Sequence, residues 1–245
     1  MTRVLVVQHE DDCPPALVGA WLEGVGCVLD VRRPYAGDPL PAGLDDHDAL
    51  LVLGGPMGAD DEADHAWLAP TKDLVRLALR DEVALLGICL GHQIITSAMG
   101  GAIGRNPLGR QVGLLPVAWT EAASDDELVG LLGSGRRGLH WNDDIALTLP
   151  PGAVVLATAP AGEPQVVRFG RRAWGVQHHP EVDEVVVGLW VQWSDEHESD
   201  DGGPGRAADS AALLGELRGA RSELDEAWRP LAESFARVAR GSHPA

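Results

Sequence analysis

A chain of 245 residues, 45% hydrophobic and 23% charged, has the size of one large α/β domain or two small ones, and its composition excludes wholesale disorder. Lys+Arg 19 against Asp+Glu 37 leaves a formal charge of −18, which repels phosphate backbones and anionic bilayers, so nucleic acid and membrane are excluded as main partners. The sequence shows no apolar run of spanning length and no secretory signal. Its three cysteines, Cys13, Cys27 and Cys89, lack the number and spacing of a disulfide framework or a metal site, so a cytoplasmic setting is expected.

The first half alternates between strand and helix patterns. Residues 4–7 form a short all-apolar run of the kind buried on both faces of a sheet. Pro14 and Pro15 introduce a helix over 16–23 that Gly24 and Gly26 end. Strands are expected over 27–31, 48–53 and 83–88, with helices over 67–80 and 91–99. That order predicts an α/β fold: a doubly wound, mostly parallel sheet with helices on both faces, flavodoxin-like in plan. From 111 to 174 short β-rich runs separated by Gly/Pro turns predict an antiparallel extension of the sheet. A helix is expected over 182–193. The sequence thus divides into a domain over 1–194, an acidic Gly/Pro linker over 195–210 and C-terminal helices over 211–240. Leu213, Leu217, Leu224, Trp228, Leu231, Phe235 and Val238 recur at helical spacing and are expected to pack back on the domain, with Pro230 kinking or splitting the helix. Acidic runs at 10–12, 45–48, 60–64, 125–127 and 195–201 read as solvated turns; the third lacks the glycine register of a calcium loop.

Chemistry concentrates in three segments. Gly87-Ile88-Cys89-Leu90-Gly91-His92-Gln93 places a cysteine between two glycines at a strand-to-helix junction, the cysteine form of a nucleophile elbow. The helix N-terminus favours a thiolate there, and the Leu90 amide can receive a developing oxyanion. Gln177-His178-His179-Pro180-Glu181 supplies an imidazole and a carboxylate two residues apart, a base and the group that orients it. His178 points away from them and reads as packing or surface. Gly54-Gly55-Pro56 ends a strand where backbone amides enter the crevice of a doubly wound fold, so the Gly55 N–H is a second oxyanion donor candidate; a plain Gly-Pro turn fits that segment equally well. Neither G-x-G-x-x-G nor Walker A spacing occurs, so no nucleotide cofactor and no metal is expected. His9, His47, His65, His92 and His197 receive no role.

The three segments, in this order, resemble the class I (triad) glutamine amidotransferases over about residues 3 to 194. The resemblance implies Cys89 as nucleophile on the γ-amide of glutamine, His179 as proton relay and Glu181 as its orienting carboxylate. It implies an oxyanion hole from the Gly55 and Leu90 amides, and substrate contacts from Gly54, Gly55 and Gln93. His140-Trp141-Asn142-Asp143-Asp144 falls where relatives of GMP-synthase type carry His-Gly-Asp, which adds Trp141 and Asn142 as substrate contacts, with Asn142 in place of a histidine. The expected substrate is glutamine or a γ-glutamyl compound. A fused synthetase domain is not expected, so either a separate synthetase subunit uses the ammonia or the enzyme works on small amides alone, with a homodimer as the alternative partnership. A γ-glutamyl peptidase on the same scaffold and a non-catalytic binding or regulatory role are the alternatives.

Overall fold

The computed structural model describes residues 1–133, 136–197 and 206–241. Its centre is a nine-stranded sheet with strands β1 (Thr2–Val7), β2 (Cys27–Arg32), β3 (Ala49–Val52) and β4 (Ala84–Ile88), all parallel. It continues through β6 (Gln111–Trp119), β7 (Arg136–Asn142), β9 (Val154–Thr158), β10 (Pro164–Gly170) and β11 (Ala173–Val176) in the order β2-β1-β3-β4-β11-β10-β9-β6-β7. β11 runs parallel to β4 and antiparallel to β10, so the sheet changes sense there. A separate ribbon pairs β5 (Ala102–Arg105) with β8 (Asp144–Thr148).

Alternation along the strands divides the core in two. Val4, Val6, Leu51, Leu86, Ile88, Trp174 and Val176 face one side, under helices α1 (Ala16–Gly24) and α5 (Arg206–Arg240). Leu5, Val7, Leu50, Val52 and Leu85 face the other, under α2 (Leu68–Arg80) and α3 (Leu90–Ala98). Both faces of β3, β4 and the Val4–Val7 part of β1 are therefore dry, which is why those sequences are continuously apolar, while the edge strand β2 is only partly covered. The mostly parallel α/β sheet covered on both faces is the expected fold.

Two strands escape the sequence pattern. β7 reads RRGLHWN, without apolar alternation, and is held by its antiparallel ladder to β6 from Asn142↔Gln111 to Arg136↔Val117. β5 is a four-residue strand containing Gly104. Helix α4 (Glu184–His197) and α5 enter both ends of the segment expected as linker; its residues 198–205 lie outside the described residues, as does the side chain of His197. Pro230 does not split α5, which runs through it as one helix. Proline removes one backbone hydrogen bond, and the burial of Trp228, Leu231, Phe235 and Val238 beside it outweighs that loss. These side chains place α5 on the sheet, as the helical spacing predicts.

Candidate active site

Cys89, the candidate nucleophile, sits where β4 ends and α3 begins, at the C-terminal edge of the sheet. Cys89 is buried and holds φ +49°, ψ −106°, a conformation that costs a residue with a Cβ about 1–3 kcal/mol. The glycines around it are steric necessities. A Cβ on Gly87 would lie 2.5 Å from the Gly91 carbonyl group, and one on Gly91 would lie 2.0 Å from the Val52 carbonyl oxygen. Strand β4, helix α3 and strand β3 thus meet at backbone contact, and the turn between them pushes Cys89 out at the helix N-terminus. Leu90, as the first residue of α3, has one of the amides that helix geometry leaves without an i−4 partner.

The Gly54-Gly55 turn after β3 lies against both catalytic candidates. A Cβ on Gly54 would sit 3.4 Å from His179 Cε1 and 3.7 Å from Cys89 Cβ; one on Gly55 would meet His9 Cβ and Leu90 Cδ2, each at 2.9 Å. A side chain at Gly55 would force its neighbours to shift, whereas a Cβ at Gly54 would make ordinary van der Waals contact. The segment beyond the turn is tied down by the single lysine of the sequence: Lys72, buried on α2, binds Asp60 at 2.6 Å and Glu62 at 2.5 Å. Its ammonium accounts for two members of the acidic run at 60–64. Among the described residues no group of three or more His, Cys, Asp or Glu could hold a metal ion.

His179 and Glu181 follow β11. The backbone N–H of His179 donates to the Leu139 carbonyl on β7 at 2.8 Å, so the unforeseen strand positions the imidazole. His179 Nδ1 lies 2.8 Å from Glu181 Oε1, both side chains 4% exposed, while Nε2 is buried without a hydrogen-bond partner. The carboxylate fixes the orientation of the ring and leaves Nε2 as the nitrogen open to a further partner. Burial opposes a charge on His179, but the negative groups at Cys89 and Glu181 outweigh it and hold the pKa well above its ordinary value. The edge of the Trp190 ring from α4 packs on the imidazole, 4.7 Å between centroids, and Trp190 Nε1 donates to the Asp12 carbonyl at 2.7 Å.

The neighbouring histidine has the opposite character. His178 is fully buried, stacked with His140 at 6.1 Å and tilted onto Trp228 of α5 at 4.3 Å. Burial, then the nearby His140, His179 and His92, push its pKa well below the ordinary value. It is a packing residue, and so is His92, which lies on Phe169 and is lowered to about 4 by burial.

The remaining expected site residues are connected to the candidate triad at one remove. Gln93 is buried on α3, its Nε2 donating to the Asp144 carbonyl at 3.0 Å and to Gln177 Oε1 at 3.2 Å. Asn142 Nδ2 reaches the same Asp144 carbonyl at 3.2 Å and Gln111 Oε1 at 3.3 Å, leaving its own Oδ1 buried and unpartnered. Trp141, one residue earlier on β7, projects to the other face of the strand. There it packs on Trp190 and under the Arg110 guanidinium, and it lines a cavity of about 530 Å³ beside α4 and α5. The structure therefore gathers Cys89, His179, Glu181, Gly54, Gly55 and Leu90, and separates Trp141 from Asn142. Sequence reasoning assigned nothing to Gln177 or Trp190. Gln177 was in view within the Q-H-H-P-E string; nothing local marks Trp190.

Comparison with known proteins bears on the family and the fold. Residues 22–186 match the family glutamine amidotransferase class-I. The glutamine amidotransferase-like protein YfeJ of Salmonella typhimurium is 32% identical over 202 residues, 81% of this chain and 83% of that protein. A glutamine-hydrolyzing GMP synthase subunit of Ignicoccus hospitalis is 32% identical over 78% of this chain and 95% of its own. Gamma-glutamyl peptidase 3 of Arabidopsis thaliana is 30% identical over 65% of this chain and 63% of its own. Among solved structures, a glutamine amido transferase from Methylobacillus flagellatus superposes with a TM-score of 0.84 at 24% identity, covering 97% of this chain and 95% of that one, which shows the shared fold. With its match spanning most of the sheet and the elbow at its centre, the chain belongs to the class I glutamine amidotransferases.

Proposed function

We propose that the chain hydrolyses the γ-amide of glutamine through a Cys89–His179–Glu181 triad and releases ammonia to an acceptor or a separate synthetase subunit. The observation that carries the reading is the pairing of His179 Nδ1 with Glu181 at 2.8 Å, which leaves a buried Nε2 uncommitted beside the strained Cys89. The Cys89 sulfur forms a bond to the amide carbon, and its proton resides on His179. The carbonyl oxygen takes the electron pair and is held by the Gly55 and Leu90 amides. As the C–N bond breaks, His179 gives its proton to the leaving nitrogen and ammonia departs. His179 then takes a proton from water, whose oxygen attacks the thioester and releases glutamate. Gly54 and Gly55 wall the acyl site. The nitrogen of Gln93 is committed inward, so its carbonyl oxygen is the group it can offer, and that oxygen suits the substrate's α-ammonium. Asn142 Oδ1 is a second acceptor for that end, and Trp141 borders the far side of the substrate through Trp190. A reducing, cytoplasmic setting suits a nucleophile that must remain a free thiol, as all three cysteines are here.

Purified chain should convert glutamine to glutamate and ammonia, and Cys89→Ala should abolish the reaction with the fold unchanged. A glutamine-like electrophile should label Cys89 and neither Cys13 nor Cys27; labelling elsewhere would sink the nucleophile assignment. A γ-glutamyl peptidase is the second reading, favoured by the relative of that name and by thioester chemistry that is identical up to the leaving amine. Faster release from γ-glutamyl peptides than from glutamine would decide for it.

A further inference from the structure

Between Cys89 and a backbone carbonyl some distance away runs a chain of side-chain amides that the triad does not use. Gln177 Nε2 lies 3.5 Å from Cys89 Sγ, Gln177 Oε1 accepts from Gln93 Nε2 at 3.2 Å, and Gln93 Nε2 also donates to the Asp144 carbonyl at 3.0 Å. Gln177 is wholly buried and Gln93 is 5% exposed, so water does not compete for these groups. The direction of the chain follows from its far end. A backbone carbonyl can only accept, so the Gln93 atom facing it is the NH₂ group; that group can only donate, so the Gln177 atom facing Gln93 is oxygen. The NH₂ of Gln177 is thereby turned toward the sulfur.

We propose that Gln177 is a further catalytic residue, whose amide N–H hydrogen-bonds the sulfur of Cys89 and steadies its thiolate form, and that Gln93 is a positioning residue that fixes which way the Gln177 amide faces. A neutral donor stabilises an anionic acceptor without supplying a counter-charge, so it favours the thiolate independently of His179. Without Gln93 the Gln177 amide is free to turn and present its oxygen, which repels the thiolate. Other groups bear on the same sulfur: His179 from the segment after β11, Glu181 behind it, Cys13 from the loop before α1, and the N-terminus of α3. None of them lies within the amide chain, so each stays in place when the chain is cut.

The inference rests on Cys89 being the nucleophile, and its test reads Cys89 without glutamine. The rate of Cys89 alkylation by iodoacetamide, followed by mass spectrometry of the Cys89 peptide, reports thiolate against pH. Gln177→Leu should move that profile up by about one unit, a tenfold loss of thiolate on its acid side. Gln93→Leu should move it the same way by less, and should add nothing in the double variant, because Gln93 acts only through Gln177. An unchanged profile in folded Gln177→Leu, or a Gln93→Leu shift that persists at full size in the double variant, would overturn the proposal. Should Gln177→Leu not fold, Gln177→Glu keeps the volume, removes the donor and adds a charge; its profile must move further upward, and a profile that stays put overturns the proposal equally. Shifted profiles in a chain that leaves glutamine intact would count against the glutaminase reading and leave the amide chain standing.

Discussion

The two halves of the candidate active site, one around the expected nucleophile and one around the expected base, are held by different physics. The nucleophile half, β4–Cys89–α3, is fixed by backbone contact: Gly87 and Gly91 let three elements touch, and the strained φ of Cys89 is the geometric result. The base half, from Gln177 to Glu181, is fixed by partners: the Leu139 carbonyl, the Glu181 carboxylate, the Trp190 ring and the His140–Trp228 stack around His178. A backbone-fixed site tolerates no added atom, whereas a partner-fixed one degrades by steps. Breaking each half should therefore look different.

The largest effect is expected in the first half. Gly91→Ala sets a carbon 2.0 Å from the Val52 oxygen, which cannot relax as a flexible side chain could. Loss of folded protein, or destabilisation by more than about 3 kcal/mol in urea unfolding, is the expected outcome. Near wild-type stability would show that the elbow has slack. In the second half Glu181→Gln should keep the fold and lower kcat for glutamine by on the order of 10²–10⁴, because the imidazole loses the group that sets its tautomer. A loss below about tenfold would mean that Trp190 and the Leu139 carbonyl suffice to hold it.

The third expectation concerns pH. His92 and His140, lowered to about 4, and His178, lowered well below its ordinary value, are neutral in the fold and take up protons on unfolding below about pH 6.5. Their contribution is complete above that pH and falls by on the order of 2 kcal/mol per histidine near pH 5. His179, raised, works in the other direction: its contribution is full below about pH 6.5 and is lost as pH rises through its folded value. Urea midpoints should therefore pass through a maximum near pH 6.5, and His92→Leu should make the acid limb shallower by one histidine's share and leave the alkaline limb unchanged, since His9, His140 and His178 keep theirs. A flat acid limb in the wild type would contradict the neutral histidine layer. The smallest effect is expected for Trp190→Phe, which keeps an aromatic edge against His179 but loses the bond to Asp12; a fall in kcat of about two- to fivefold is expected. Should it match Glu181→Gln, the ring rather than the carboxylate would be the main restraint.

The same contrast explains what could be read from the amino acids. The elbow is local: two glycines around one cysteine, between an apolar strand and a helix, state their geometry within seven residues. The inner parallel strands β1, β3 and β4 announce themselves because both faces are buried. The base half is built from pairs distant in the chain. Gln177 meets Cys89 across 88 positions and Trp190 meets Asp12 across 178, and no window of sequence contains both partners. Strand β7 is hidden for a related reason, since its pattern answers to α5 and His178 rather than to a uniform core: Gly138 lies under the His178 ring, where a Cβ would come within 2.6 Å of Cδ2. Pro230 misleads because proline reports the local loss of one bond and nothing of the buried face beside it.

Helix α5 touches the layer that carries the base: Trp228 lies on His178 and its indole N–H donates to the Arg137 carbonyl of β7 at 2.8 Å. During synthesis the elbow, the glycine turn and the Q-H-H-P-E segment all leave the ribosome before residue 228 does. A nascent chain can therefore carry Cys89, His179 and Glu181 and still lack the indole that packs on His178. Until α5 docks, His178 lacks the indole that covers it, so this late-made helix completes the packing of the layer next to His179.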